Sequence, residues 1–174
     1  MLTKHVHTLV HAFIASLIDY CNALLYGITD GVIRRLQSVL HAAVRLITGI
    51  RRYEHITPTL HDTLHWLPIS QRFTFKIALM MFERSRSRCP KYFGDVYTPV
   101  HTVAAHSRLR SADHGELVVP RVWSTRFGSR SFRVCGPTIW NKLPQDLRST
   151  DTREQFQSNL KRWLFECAYG RRRV

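Results

Sequence analysis

Thr29-Asp30-Gly31-Val32-Ile33-Arg34-Arg35-Leu36-Gln37-Ser38-Val39-Leu40-His41-Ala42-Ala43-Val44-Arg45-Leu46-Ile47-Thr48-Gly49 is the stretch whose periodicity decides the fold class. Val32, Leu36, Val39, Ala43 and Ile47 recur at intervals of three and four, the spacing of one face of an α-helix. Thr29 or Asp30 supplies the oxygen that caps the first free N–H groups. Gly49 supplies the left-handed residue that stops the last turn. The expectation is a helix from about Gly31 to Thr48.

Working outward, the segment from about Lys4 to Tyr26 carries Leu9, Phe13, Leu17 and Leu24 near helical spacing and ends at Gly27. A short loop between two such helices predicts an αα-hairpin. Downstream, Thr57-Pro58 reads as a cap with proline in the first turn, starting a short helix that stops near His65-Trp66-Leu67-Pro68. Another helix, about Ile69 to Arg86, turns Phe73, Ile77, Met80, Met81 and Phe82 towards a core and closes at Cys89-Pro90.

From about Tyr97 to Ser111 the periodicity fades, which reads as a connector. Beyond it, Leu117 to Trp123 and Arg130 to Val134 read as two short strands around a turn at Gly128, because Phe132 and Val134 alternate with Ser131, Arg133 and Cys135. Gly136-Pro137 then turns into a short helix with Trp140 and Leu143, ended by Pro144. The last helix opens at Asp151 with Glu154 in a capping-box arrangement. It buries Phe156, Leu160, Trp163 or Leu164, and Cys167. The expected fold is mainly α: a helical region over 1–96, a connector over 97–111, and a small α+β part with two short strands over 112–174, ending in the basic tail Arg171-Arg172-Arg173.

Charge points to the partner. Lys and Arg number 26 against 12 Asp and Glu, a net charge of +14. Such a chain repels itself unless a polyanion is near. Nucleic acid is favoured over an anionic membrane or a merely solubilising surface, because arginine's planar fork grips phosphate. The first candidate contacts are Arg34, Arg35, Arg45, Arg51 and Arg52. Arg34, Ser38, His41 and Arg45 share one helical stripe, and no acidic residue lies between Gly31 and Arg52. The second candidates are Arg121, Arg126, Arg130 and Arg133, interleaved with Trp123, Phe127 and Phe132. These aromatics read equally as stacking platforms for unpaired bases and as a small core.

Other chemistries lack their residues. The aspartates are scattered, with no pair on a hairpin to hold two catalytic metal ions. His7 with His11, and His61 with His65, have i, i+4 spacing, yet no third zinc ligand follows at a recognised distance and the glutamate of the H-E-x-x-H motif is missing. No nucleophile elbow or phosphate-binding glycine loop occurs, so no cofactor and no metal are expected. Cys21, Cys89, Cys135 and Cys167 form no close pair and read as reduced thiols of an intracellular protein, with Cys21 and Cys167 in apolar helical faces. The apolar run Leu9 to Ile18 reads as an amphipathic helix rather than a signal peptide. No segment reaches the roughly 20 apolar residues of a membrane span.

The order of landmarks resembles a known family. Leu9-Val10-His11-Ala12-Phe13, Leu17 through Gly27, Arg35-Leu36-Gln37, and Ala42 through Gly49 resemble the region downstream of the catalytic palm in LINE-type non-LTR retrotransposon reverse transcriptases. His55-Ile56-Thr57-Pro58, Leu64-His65-Trp66-Leu67-Pro68-Ile69 with Arg72, Leu109-Arg110-Ser111, Leu117-Val118-Val119-Pro120-Arg121 and Pro137-Thr138-Ile139-Trp140-Asn141-Lys142-Leu143-Pro144 continue it over nearly the whole chain. The resemblance implies the late thumb and post-thumb part of an RNA-directed DNA polymerase, without its endonuclease and palm. It implies RNA or DNA as partner, with the rest of the polymerase in the parent protein, in the nucleus or cytoplasm. The alternative is a truncated or relic product with a structural or protein-interaction role. In either case this chain alone is expected not to polymerise.

Overall fold

The computed structural model describes residues 8–20, 22–90, 93, 96–103, 115–124 and 128–170. It is mainly helical, and no described residue lies in a sheet. The helices are α1 (Ser16–Asp19), α2 (Asp30–Thr48), α3 (Ile69–Ser85), α4 (Phe132–Lys142), α5 (Gln145–Arg148) and α6 (Arg153–Tyr169), with short π and 3-10 turns between several of them. No described helix is long and apolar enough to cross a membrane. Two compact units form: Met1–Phe73 with Leu164–Val174, and Thr74–Trp163.

In the first unit the helical turns over 8–19 run through a π turn at His11–Ala15 into α1. The inward row is buried Val10 and Ile18 with half-buried Ile14 between them, not the expected Leu9, Phe13 and Leu17, which are exposed. The roll of the helix is set by an ion pair. Arg72 Nη1 sits 2.9 and 2.8 Å from the two oxygens of Asp19, which pins the neighbouring Ile18 against Ile69 and Phe73.

Helix α2 begins after Thr29 and ends as expected at Gly49, whose φ of 71° is left-handed and whose N–H donates to Arg45 O at 2.8 Å. Its buried arc is Leu40, Ala43 and Val44, flanked by half-buried Ile33, Leu36 and Ile47, while Val32 and Val39 are exposed. The arc is rotated by about 50° from the expected stripe, counting 3.6 residues per turn. Gln37 accounts for this. Its Oε1 accepts from the Ile69 backbone N–H at 2.9 Å, so a polar residue occupies a half-buried position with its carbonyl satisfied. A second cluster joins Val44, Ile56 and Leu60 with Leu64 and Trp66.

In the second unit α3 presents Ile77, Met81 and Phe82 to the core, with Ala78 beside them and Met80 only half-buried. Phe82 stacks on Phe156 with centroids 4.3 Å apart, and Trp140 lies tilted 6.2 Å from Phe156. Within α6 the buried residues are Phe156, Leu160 and Leu164, with Trp163 half-buried. Cys167, expected in an apolar face, is exposed. The cap of α6 is Thr152, whose Oγ1 accepts from Gln155 N at 3.4 Å, one residue later than the expected Asp151–Glu154 box.

The two expected strands are not formed. Arg130 to Val134 runs from a 3-10 turn into α4, which passes through Gly136-Pro137 instead of starting after it. Phe132-Arg133-Val134 is too short to separate the two periods. Over the longer window Phe132, Cys135, Gly136, Ile139, Trp140 and Leu143 keep helical spacing, with Val134 and Pro137 buried beside them. Gly136 is required by packing, since a Cβ there would lie 2.7 Å from Met81 Sδ. Leu117 to Trp123 is extended but makes one isolated antiparallel bridge, with Pro99. Asn141 takes the place of a ladder: its Oδ1 accepts from Leu117 N at 2.9 Å and its Nδ2 donates to Leu117 O at 2.8 Å. The described start of the connector, Thr98 to Val100, supplies the other pairings, Val100 N to Glu116 O and Val118 N to Thr98 O, both 2.9 Å. The rest of the connector, 104–111, together with Cys21, lies outside the described residues.

The clamp gives a stability prediction. Leu117 is 2% exposed, so Asn141→Ala strips partners from its two backbone groups and should lower the unfolding free energy by about 2 to 6 kcal/mol, at about 1–3 per orphaned group. Urea unfolding followed by circular dichroism measures this, and an unchanged midpoint would refute the clamp.

Candidate nucleic-acid interface

The basic stripe of α2 is present but lies on a flank of the helix. Arg34 is exposed, and its Nε donates to Asp30 O at 3.4 Å. Ser38 is also exposed, whereas His41 and Arg45 are half-buried. Arg45 Nε is closed off from solvent with no hydrogen-bond partner. It is therefore a poorer phosphate contact than the sequence implied. Arg34 and Arg45 are eleven residues apart, three turns and roughly 16 Å along the axis. Arg35 stands on the outward crown beside Val39, Ala42 and Leu46, all exposed. Arg51 and Arg52 are exposed in the turn that follows Gly49. Arg34, Arg35, Arg51 and Arg52 make no ion pair with a described residue.

His41 is held neutral by its surroundings. Burial, reinforced by the positive charge of Arg45, lowers its pKa below the ordinary 6.5. The geometry agrees: Gln37's Oε1 is committed to Ile69 N, so its Nε2 faces His41 Nε2 at 2.8 Å and offers a proton. The imidazole must answer with a lone pair, which fixes the neutral form with its proton on Nδ1.

In the second group, Arg121 and Arg133 are exposed, Arg130 is half-buried, and Arg126 lies outside the described residues. Arg121 belongs to the extended segment and Arg133 to the first turn of α4, so a shared strand does not bring them together. The aromatics separate into two kinds. Trp140 is 2% exposed, and half-buried Phe132 packs edge-on to Phe93 at 5.3 Å; both build core. Trp123, at 101%, is fully exposed.

Several other arginines serve the fold. Arg72 binds Asp19 and also donates from Nε to Leu67 O at 2.9 Å, with its guanidinium 5.5 Å from the Trp66 ring. Arg84 donates to Phe93 O at 3.0 Å, Arg86 binds Thr150 O and Asp151, and Arg153 pairs with Glu83 at 2.7 Å. Sequence reading missed Gln37 and Asn141. For Gln37 the available signal was a polar side chain beside the apolar face of a helix. For Asn141 the signal was a buried-helix motif ending in an amide.

Among the described residues no three His, Cys, Asp or Glu side chains cluster as metal ligands, and His7 lies outside the described residues. His61 bonds to Asp62 and meets the rings of Phe165 and Tyr169 edge-on. Burial pushes the Cys135 thiol up to about 11, so little thiolate forms there at neutral pH.

Comparison with known protein families, curated proteins and solved structures finds no match to this chain.

A pH effect follows from His41. Its folded pKa lies below its unfolded 6.5, so the unfolded chain takes the proton first and stability falls as pH drops below 6.5 towards the folded value. His41→Gln should flatten that part of a stability profile measured by urea unfolding between pH 7.5 and 5. An identical acid-side slope in the variant would contradict the assignment.

Proposed function

We propose that this chain holds nucleic acid by its phosphate backbone, as the late thumb and post-thumb fragment of a LINE-type RNA-directed DNA polymerase. One observation carries the reading: Arg34, Arg35, Arg51 and Arg52 are exposed and without ion pairs to described residues, while no acidic residue interrupts 31–52. Arginines engaged in ion pairs within the fold would add little polyanion affinity, whereas these four are exposed and only Arg34 Nε is engaged, with Asp30 O at 3.4 Å. Arg121 with the fully exposed Trp123 adds a place where an unpaired base can stack beside a phosphate contact. The landmark order described from the sequence supports the family assignment, with RNA or primer duplex as the partner class.

A second reading has its own support. Leu9, Phe13, Leu17, Tyr20 and Leu24 are all more than half exposed, and Val32, Val39 and Leu46 are exposed on α2. Such an apolar surface fits a truncated or relic product whose role is to bind another protein.

Binding measurements separate the two. Replacing Arg34, Arg51 and Arg52 with Gln should weaken single-stranded and duplex RNA alike. The slope of log affinity against log salt should shrink by about 0.7 to 0.9 per lost contact. Trp123→Ala should cost about 1–3 kcal/mol with single-stranded RNA only. Unchanged affinity and slope in a folded triple variant would favour the protein-interaction reading.

The chain also lacks paired aspartates for two-metal catalysis. Incubated with primer, template, nucleotides and magnesium, it should leave the primer unextended. Extension above a control preparation would overturn this.

A further inference from the structure

Ile69 is the first residue of α3, so its backbone N–H belongs to the opening turn, where no carbonyl of the same helix can accept from it. Ile69 is 0% exposed, so water cannot serve instead. The acceptor comes from another helix: Gln37 Oε1, on α2, takes this N–H at 2.9 Å. Gln37 therefore does for α3 what a capping residue does within one chain segment.

That cap depends on His41. With its oxygen turned to Ile69, Gln37 presents its amino group to His41 one turn further along α2, where Nε2 faces Nε2 at 2.8 Å. An amide NH2 only donates, so the imidazole nitrogen has to offer its lone pair. The relay has one direction: Ile69 donates to Gln37, and Gln37 donates to His41.

A proton on His41 Nε2 reverses that role. Two donors would then face each other across the same contact. If Gln37 turns its amide over to give His41 an oxygen, its amino group comes to face the Ile69 N–H. If it swings away, Ile69 loses its acceptor outright. Either way a buried donor is left unmade.

His41 is only half-buried, so solvent protons can reach the ring. The positive charge acting on it is that of Arg45, one turn further along α2. The segments packed beside this part of α2 carry Asp19, His61, Asp62, His65 and Arg72. Asp19 is paired with Arg72, and Asp62 is bonded to His61. We propose that His41, Gln37 and Ile69 form a proton-operated latch between α2 and α3, capping the start of α3 while His41 is neutral and releasing the cap when His41 is protonated.

The sense of the latch follows from the surroundings of the ring. Burial and Arg45 hold His41 below its ordinary 6.5, so the latch is closed at neutral pH and opens as the pH falls below that value. All three residues lie in the first unit. The latch is independent of RNA holding by Arg34, Arg51 and Arg52: a chain that bound no RNA would still show it.

The experiment is nuclear magnetic resonance of the full 15N-labelled chain between about pH 7.5 and 4.5, the range around an ordinary histidine. At the neutral end the His41 ring should carry its proton on Nδ1. On acidification the Ile69 backbone amide and the Gln37 side-chain amide should shift with the His41 ring, sharing one midpoint below 6.5. Protection of the Ile69 amide against hydrogen exchange should fall about fivefold or more over that transition, the scale of one hydrogen bond. In His41→Gln the step at Ile69 should vanish. Gln37→Glu supplies oxygens to Ile69 and to protonated His41 together, so its His41 midpoint should rise above 6.5 and Ile69 should keep its acceptor in acid. Should that variant fail to fold, wild type and His41→Gln decide the matter. A neutral ring protonated on Nε2, an Ile69 amide indifferent to His41 protonation, or a folded Gln37→Glu chain whose His41 midpoint stays below 6.5 would each overturn the latch.

Discussion

Backbone groups in the connecting segments must be paired, and where turns and backbone-to-backbone bonds leave them open that task falls to side chains. In the first unit Gln37 accepts from Ile69 N, Arg72 donates to Leu67 O, and the Tyr169 hydroxyl donates to Trp66 O at 3.1 Å. In the second, Arg84 serves Phe93 O, Arg86 serves Thr150 O, Trp140 Nε1 serves Gly115 O, and Asn141 serves both backbone groups of Leu117. The hydrophobic clusters hold the helices, but these contacts fix how the loops leave and enter them. Apart from Arg72 with Leu67 and Arg84 with Phe93, each joins positions more than twenty residues apart, so it forms only once distant segments are placed.

This constraint changes what the positive charge means. A net +14 suggests a surface dominated by cations. Yet Arg72, Arg84, Arg86 and Arg153 are engaged with carbonyls or carboxylates, and spending their donors on a polyanion would undo the fold. The exposed arginines outside those contacts include a set on α2 and the turn after it, with Arg88, Arg121, Arg133 and Arg162 elsewhere. Charge count therefore points to the class of partner, while hydrogen-bond commitment selects the residues. Arg148 belongs to neither set, being sheltered and unpaired at once.

Rotation about the helix axis is the recurring difference between the sequence reading and the structure. Both the first helix and α2 carry apolar residues around much of their circumference, so periodicity establishes a helix without establishing which row faces inward. Asp19 paired with Arg72 selects Ile18 over Leu17, and Gln37 paired with Ile69 draws Leu40 and Val44 in while Val39 turns out. The strand reading over 130–134 failed for a related reason: a five-residue window samples too few positions to tell a period of two from one of 3.6.

The helices over 30–48, 69–85 and 153–169, the stop at Gly49, the start after Pro68, the core residues Phe73, Ile77, Met81 and Phe82, and the basic character were all determined by the sequence itself. Those features depend on neighbours within a turn or two, where propensity, capping and 3.6-residue periodicity act. Only the tertiary structure decided that Arg45 is partly withdrawn, that Trp123 stands in water while Trp140 is core, and that Asn141 replaces a strand ladder. It also decided that Arg148 is sheltered with its Nε and Nη1 unpaired. Burial and pairing are set by which distant segments meet, and those meetings have no signature in local spacing.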